Sequence, residues 1–491
     1  MKIKLGKSGW YLIFIFLFLG ILEARAEVQL TDSISVTGFL RHELAIHTAS
    51  QNPNNITQED NNSINLSRTF FQTEWNYQPT DIFKLFAKIR IISDQTESLD
   101  SDLEDYNAFP LSTPRYGTYL RATDDDDWTA EMWELYADLD IGNLWVRLGK
   151  QQIVWGEMIS ARIMDIANPL DWSWHFQFEP EEFENIRVPQ WAIRAMYNIE
   201  QTSVSWLHDL YLEGYVNPGD ISPRIWPEYG SPFNLKPPTL PIFQVDEIDR
   251  RGDTEYGIRI GGRVGQFFAT LNYLHLYTKT GAWENVSLPG PPPFSIENRY
   301  PEIDVYGATV NYAFDSPINA TVTYEGTYIP KQPYQDALSV MPVIKDRGTV
   351  KHAIRFQRKT RVFSRHLLSS PIPQMNIQFQ LSQTIVEGDP DDIKSTPAPY
   401  GRKTNKIDKT QNVIALILNQ DLWYNQISLS FKAIYDLKDS HYIVPGFKYR
   451  HGDDWYFDIY GVVLGGSEKR SGRFGSMDWG DEVFARITYQ F

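Results

Sequence analysis

The sequence predicts an all-β chain that crosses a membrane: a transmembrane antiparallel β-barrel of the outer-membrane type, with 18 strands and 16 as the alternative count. Three observations predict it. Segments of roughly 10–15 residues alternate apolar and polar along most of the chain, while helical periodicity is nearly absent. Every second link between these segments is short. The chain begins with an export signal and closes on an aromatic strand.

The export signal comes first. Lys2, Lys4 and Lys7 form a basic region, Trp10 to Leu22 an apolar one, and Ala24-Arg25-Ala26 a small-residue cleavage site. An apolar run of that length is too short for a spanning helix. Residues 1–26 are therefore expected to be a cleaved signal peptide, exported by the general secretory route. Residues 27–491 are expected to form one barrel domain.

The strand segments lie near 34–48, 64–78, 82–95, 129–141, 144–155, 190–199, 203–216, 254–264, 267–280, 301–314, 318–330, 349–363, 375–387, 411–421, 426–438, 440–451, 454–466 and 481–491. Their alternation is clear in two places. Ala320, Val322, Tyr324 and Tyr328 share one face, opposite Thr321, Thr323, Glu325 and Thr327. Trp455, Phe457, Ile459 and Val463 stand opposite Tyr456, Asp458 and Tyr460. A soluble sandwich would alternate too, but it has no reason for the parity of the links. Gly142-Asn143, Gly265-Gln266, Asp315–Pro317 and Gly452-Asp453 are tight, whereas 49–63, 96–128, 156–189, 217–253, 281–300, 331–348, 388–410 and 467–480 are long. Residues 364–374 and Asp439 break the pattern, one long and one tight. Barrels of this kind have short periplasmic turns and long extracellular loops, which puts both termini in the periplasm of a Gram-negative envelope.

The last segment sets Val483, Ala485, Ile487, Tyr489 and Phe491 on one face. This resembles the C-terminal signature of proteins inserted by the outer-membrane barrel-assembly machinery, so Tyr489 and Phe491 are expected to be an insertion signal. With the apolar face toward lipid, the polar face lines the lumen. Lys84, Lys88, Arg90, Glu134, Asp138, Arg147, Arg194, Arg259 and Arg263 point inward by this rule. Charge on the lipid face near mid-bilayer costs about 2–4 kcal/mol for Lys or Arg, which supports the facing. Two readings of these charges stand side by side: opposed basic and acidic columns that set a transverse field, or a polar lining of laterally paired ions with no selectivity.

Composition excludes several classes. There are no cysteines, so disulfides, thiolate metal sites and thiol nucleophiles are absent. The net charge is −16, against the basic surplus of a nucleic-acid binder. No hydrolase, zinc-protease or phosphate-loop motif occurs, and the nine histidines show no metal spacing. No enzyme activity and no cofactor are expected. Acidic clusters near 94–105, 124–127 and 387–392 are expected to be solvated loops rather than cation sites. Seven prolines between Pro218 and Pro241 suggest a stiff projecting loop.

The link between the fifth and sixth segments is the anomaly. Residues 157–189 carry Trp172, Trp174, Phe176, Phe178 and Phe183. An apolar segment of this kind must be enclosed, and the lumen is the nearest enclosure; the alternative is an extracellular cap packed on neighbouring loops. Met158–Ile166 has the composition of a short helix, stopped by Asn168-Pro169. Gly149 and Gly156 suit close backbone approach.

Arg147-x-Gly149-Lys150-Gln151, then Trp155-Gly156-Glu157, then Asn168-Pro169-x-Asp171 resemble the core of the family catalogued as domain of unknown function 1302 (DUF1302). The match is sharp over 144–171 and diffuse elsewhere; Lys150 stands where many members have arginine. The resemblance implies a porin-like barrel with no settled substrate, in a family suspected of passing poorly soluble apolar compounds. The expected function is a channel for small solutes with 157–189 as constriction, built around Trp155, Glu157, Asn168, Asp171, Trp172, Trp174 and Phe176. The alternative is a non-enzymatic sleeve for a periplasmic partner in export or electron transfer. The other expected partner is the lipid of the outer membrane.

Overall fold

A computed structural model describes residues 27–48, 64–99, 120–123, 128–172, 183–199, 204, 206–219, 221, 243–247, 252–287, 290, 293–361, 374–395, 407–466, 472–475 and 477–491. The signal-peptide reading of 1–26, the acidic run 124–127 and most of the proline-rich loop lie outside the described residues.

Eighteen wall strands run in chain order. They are β1 (Ile34–His47), β2 (Ile64–Tyr77), β3 (Phe83–Asp94), β4 (Trp128–Ile141), β5 (Leu144–Gln151), β6 (Gln190–Ile199), β7 (Leu207–Asn217), β8 (Glu255–Val264) and β9 (Phe267–Tyr277). Then come β10 (Glu302–Phe314), β11 (Ala320–Asp336), β12 (Ile344–Thr360), β13 (Met375–Val386), β14 (Thr410–Leu422), β15 (Ile427–Asp436), β16 (Ser440–His451), β17 (Trp455–Gly466) and β18 (Glu482–Gln490). Each pairs antiparallel with the next, and β18 closes on β1 from Phe39↔Gln490 to His47↔Glu482. Closure leaves no open edge, so every strand's amides find partners without water, as hydrocarbon requires. Val28–Thr31, Leu120–Thr123 and Ile393–Lys394 extend the wall locally. A separate sheet pairs Phe243–Glu247 parallel with Phe294–Arg299, which also pairs antiparallel with Ala282–Asn285.

The wall is apolar outside and polar over much of its inside. Leu271, Ile193 and Ile459 are more than half exposed on the outer face, whereas Thr323, Glu325 and Thr327 are buried on the inner one. This is the reverse of a soluble core, and it follows from hydrocarbon being the outer solvent.

Three expectations need correction. The fifth segment, read as 144–155, leaves the wall at Gln151, because the next amide that could pair, that of Ile153, donates instead to Asn168 Oδ1 at 2.7 Å. β11 and β12 run further than 318–330 and 349–363 suggested, so the link 331–348 is largely a tall hairpin held from Gln332↔Arg347 to Gln335↔Ile344. Met158–Ile166 is not a helix. Its amides at Ile159 and Met164 donate to wall side chains, which removes the i→i−4 bonds a helix needs.

Candidate functional site: the lumen and its infolded loop

The inward charges pair sideways. Lys88 Nζ reaches Glu74 at 2.9 Å and Glu134 at 3.6 Å. Arg90 Nε donates to Glu131 at 2.8 Å, and its guanidinium lies 3.4 Å from the centre of the Trp133 ring. Arg147 bonds both oxygens of Asp138, at 2.7 and 2.8 Å, and Lys84 stands opposite Asp138 in the register. Arg194 and Arg259 share Glu213, each at 2.7 Å. Neighbouring strands are about 4.8 Å apart, within reach of these side chains, so each base meets an acid on the adjacent strand. Of the two readings, lateral pairing describes these groups. Arg263 sits apart, more exposed than buried, 3.3 Å from Asp209 near the periplasmic turn.

Glu213 was not among the candidates. Alternation places it inward beside Tyr211 and Tyr215, but its bond to two arginines depends on register. It also accepts a hydrogen bond from Trp155 Nε1 at 2.9 Å, so it joins the wall to the start of the loop.

From Gln151 the chain turns inward. Trp155 meets Tyr215 edge-on at 5.3 Å, and Arg259 stands 5.1 Å above the Trp155 ring. Ile153, Trp155, Met164 and Ala167 pack with Ala192, Tyr215, Leu274, Leu276, Ile303, Val305 and Ile329. The inner face of β9–β11 is therefore apolar toward its extracellular end and covered by the loop. Burying one such large side chain contributes roughly 1.5–3 kcal/mol. The alternation rule expected a polar lining here. Strands covered on both faces read as near-continuous apolar runs, and Leu271-Asn272-Tyr273-Leu274-His275-Leu276-Tyr277 carries that signal. A second inner patch, on β14–β18 and continuing onto β1 and β2, is capped by Phe474, whose ring stacks on Tyr442 at 5.8 Å.

Within the loop, Asn168 ties both strands of the turn. Its Oδ1 accepts from Ile153, and its Nδ2 donates to the Val188 carbonyl at 2.8 Å. Asp165 takes Arg187 at 2.6 Å and Arg162 at 3.5 Å. Asp171 is buried, and its N–H donates to the Ile186 carbonyl at 2.7 Å. Trp172 is half-buried; Trp174, Phe176 and Phe178 lie outside the described residues. Gly149 and Gly156 behave as expected, since a Cβ on either would stand 2.4 Å or less from neighbouring backbone.

Three successive wall strands grip the loop by its main chain. Glu325 on β11 accepts from the N–H groups of Glu157 at 2.8 Å and Met164 at 2.6 Å. Arg355 on β12 donates to the Glu157 carbonyl. Gln380 Oε1 on β13 accepts from Ile159 N–H at 3.1 Å. Arg355 and Gln380 are register partners, and Glu325 lies on β11 two residues beyond Thr323, the partner of Arg355, so the grip spans two neighbouring rows of the inner wall. The Glu157 side chain accepts from Asn311 at 2.8 Å and is the exposed point of the turn, facing the open lumen.

Tyr489 and Phe491 lie on the outer face at the seam. Phe491 exchanges main-chain hydrogen bonds with Gly38 at 2.8 and 2.9 Å and stacks on Phe71 at 6.1 Å.

These features define a class: a transmembrane β-barrel of the outer-membrane type with a loop folded into its lumen. The chain belongs to the family described as "Protein of unknown function (DUF1302)", whose model matches residues 33–491. Among solved structures it is similar to the Acinetobacter baumannii OccAB1, with 10% identity, a TM-score of 0.47, 93% of this chain covered and 96% of that one. It is also similar to the Salmonella typhi OmpF complex with daunomycin (9%, TM-score 0.42, 95% and 100%). A third is the Pseudomonas aeruginosa OccK5 (7%, TM-score 0.44, 94% and 99%). No curated protein matches the chain.

Proposed function

We propose that this protein is a non-enzymatic porin-like channel of the outer membrane, passing small solutes that include poorly soluble apolar compounds, with residues 157–189 as its constriction. The observation that carries this reading is the seating of the loop inside the barrel, its backbone held by Glu325, Arg355 and Gln380. A loop fixed there narrows the passage and decides what a solute meets. On one side it would meet Glu157 and Arg355, and toward the extracellular end an apolar wall. That combination of polar and apolar lining suits amphiphilic or weakly soluble cargo. The outward apolar band faces lipid, and Tyr489 and Phe491 serve recognition by the barrel-assembly machinery after secretory export.

Planar-bilayer recordings test the reading. The refolded protein should give discrete conductance steps, and deleting 160–186 should enlarge them. Absence of conductance in both forms, with a periplasmic protein co-purifying, would replace the channel by the sleeve. Conductance compared between apolar and anionic solutes would then rank the cargo.

A further inference from the structure

The turn from Gly156 to Asp165 is closed by the chain touching itself. A Cβ on Gly156 would lie 2.4 Å from the Asp165 nitrogen and 3.1 Å from its Cα, so only glycine fits the pinch. Closing the pinch brings the residues just inside it, Glu157 and Met164, to one place. Their N–H groups converge on a single carboxylate, one on each oxygen of Glu325, at 2.8 and 2.6 Å. Converging main-chain donors of this kind make an anion-binding nest. Its occupant belongs to the wall, not to the loop, and is fully buried. Arg355 adds positive charge beside the nest through its contact with the Glu157 carbonyl, while the Glu157 carboxylate is drawn aside by Asn311 at 2.8 Å.

We propose that this turn is a carboxylate-binding site, that Glu325 fills it as a tethered ligand, and that Glu325 is the exchangeable member of the grip that Arg355 and Gln380 complete. The ligand class is a small monocarboxylate. Two donors serve the two oxygens of a carboxylate, whereas sulfate or phosphate would bury further oxygens without partners, at a cost. The inference rests on reading 157–189 as the constriction.

Glu325→Ala empties the nest and leaves about the space of a formate or acetate ion. In bilayer recordings this variant should show conductance raised toward that of the 160–186 deletion. Added formate or acetate should return it saturably to the wild-type level, and equal chloride should not. Glu325→Gln keeps the shape but turns an amide N–H₂ toward one of the two donors. It should give an unsteady, raised current that formate does not restore. Wild-type conductance in both variants overturns the proposal, and so does restoration by chloride as readily as by formate. A raised Glu325→Ala current that no carboxylate restores overturns the carboxylate site. Where Glu325→Ala yields no folded barrel, a steady wild-type current in Glu325→Gln is enough to reject the proposal. If deleting 160–186 leaves conductance unchanged, it is the constriction reading that fails.

Discussion

The two sides of the lumen use their polar groups differently. Around β2–β8, arginine and lysine meet carboxylates side chain to side chain across adjacent strands, as in Arg147–Asp138 and Arg194–Glu213–Arg259. Around β11–β13, Glu325, Arg355 and Gln380 hold the main chain of another segment. The first arrangement ties neighbouring strands of the wall together and balances charge only in part, since Arg194 and Arg259 share a single acid. The second positions a loop inside the barrel.

Glu213 is the most sensitive of these positions, fully buried between two arginines. Glu213→Ala leaves both cations without their shared acid and Trp155 Nε1 without its acceptor. Removing one partner from a buried ion network costs about 3–5 kcal/mol. Denaturant unfolding of the refolded barrel should register a loss of that order, and reversal potentials should shift toward anions. An unchanged stability would mean that the lateral pairs are not scaffolding.

Gly307→Ala tests the other side with a smaller effect. The added Cβ would stand 2.2 Å from Met164 Sδ, the flexible end of a loop side chain rather than wall backbone. Overpacking of this kind costs about 1–3 kcal/mol, and here the loop can yield. The expected outcome is a noisier, larger conductance with barrel unfolding almost unmoved; a stable barrel with an unaltered trace would show the loop is not held against β10.

Arg147→Lys should matter least. Arg147 bonds both oxygens of Asp138 and packs 3.6 Å from the centre of the Tyr136 ring. Lysine keeps the charge and loses the fork, at about 0.5–1.5 kcal/mol for the missing bond. Stability should fall slightly and ion selectivity should stay put. A large selectivity change would instead point to an oriented field in the lumen.

Much of this was readable from residue order. The wall strands, their facing and the parity of the links follow from period-two alternation and turn residues, and Lys88, Arg90, Asp138, Arg147, Arg194 and Arg259 do line the inside. The short helix over Met158–Ile166 failed because local composition says nothing about a carboxylate that arrives from β11. Glu325 itself was visible as an inward residue, but its role was not, since backbone N–H groups look the same under any side chain.

What the sequence alone determined is the barrel. Alternation is a local property, each strand needs only its neighbours to satisfy its amides, and hydrocarbon selects which face turns out. The use of the inside was set by contacts between distant strands. Register chose Glu213 as the acid two arginines share, closure brought β9–β13 under a loop that leaves from β5, and contact made apolar patches where alternation expected polar ones. Those choices join residues far apart along the chain, so no window of sequence contains them.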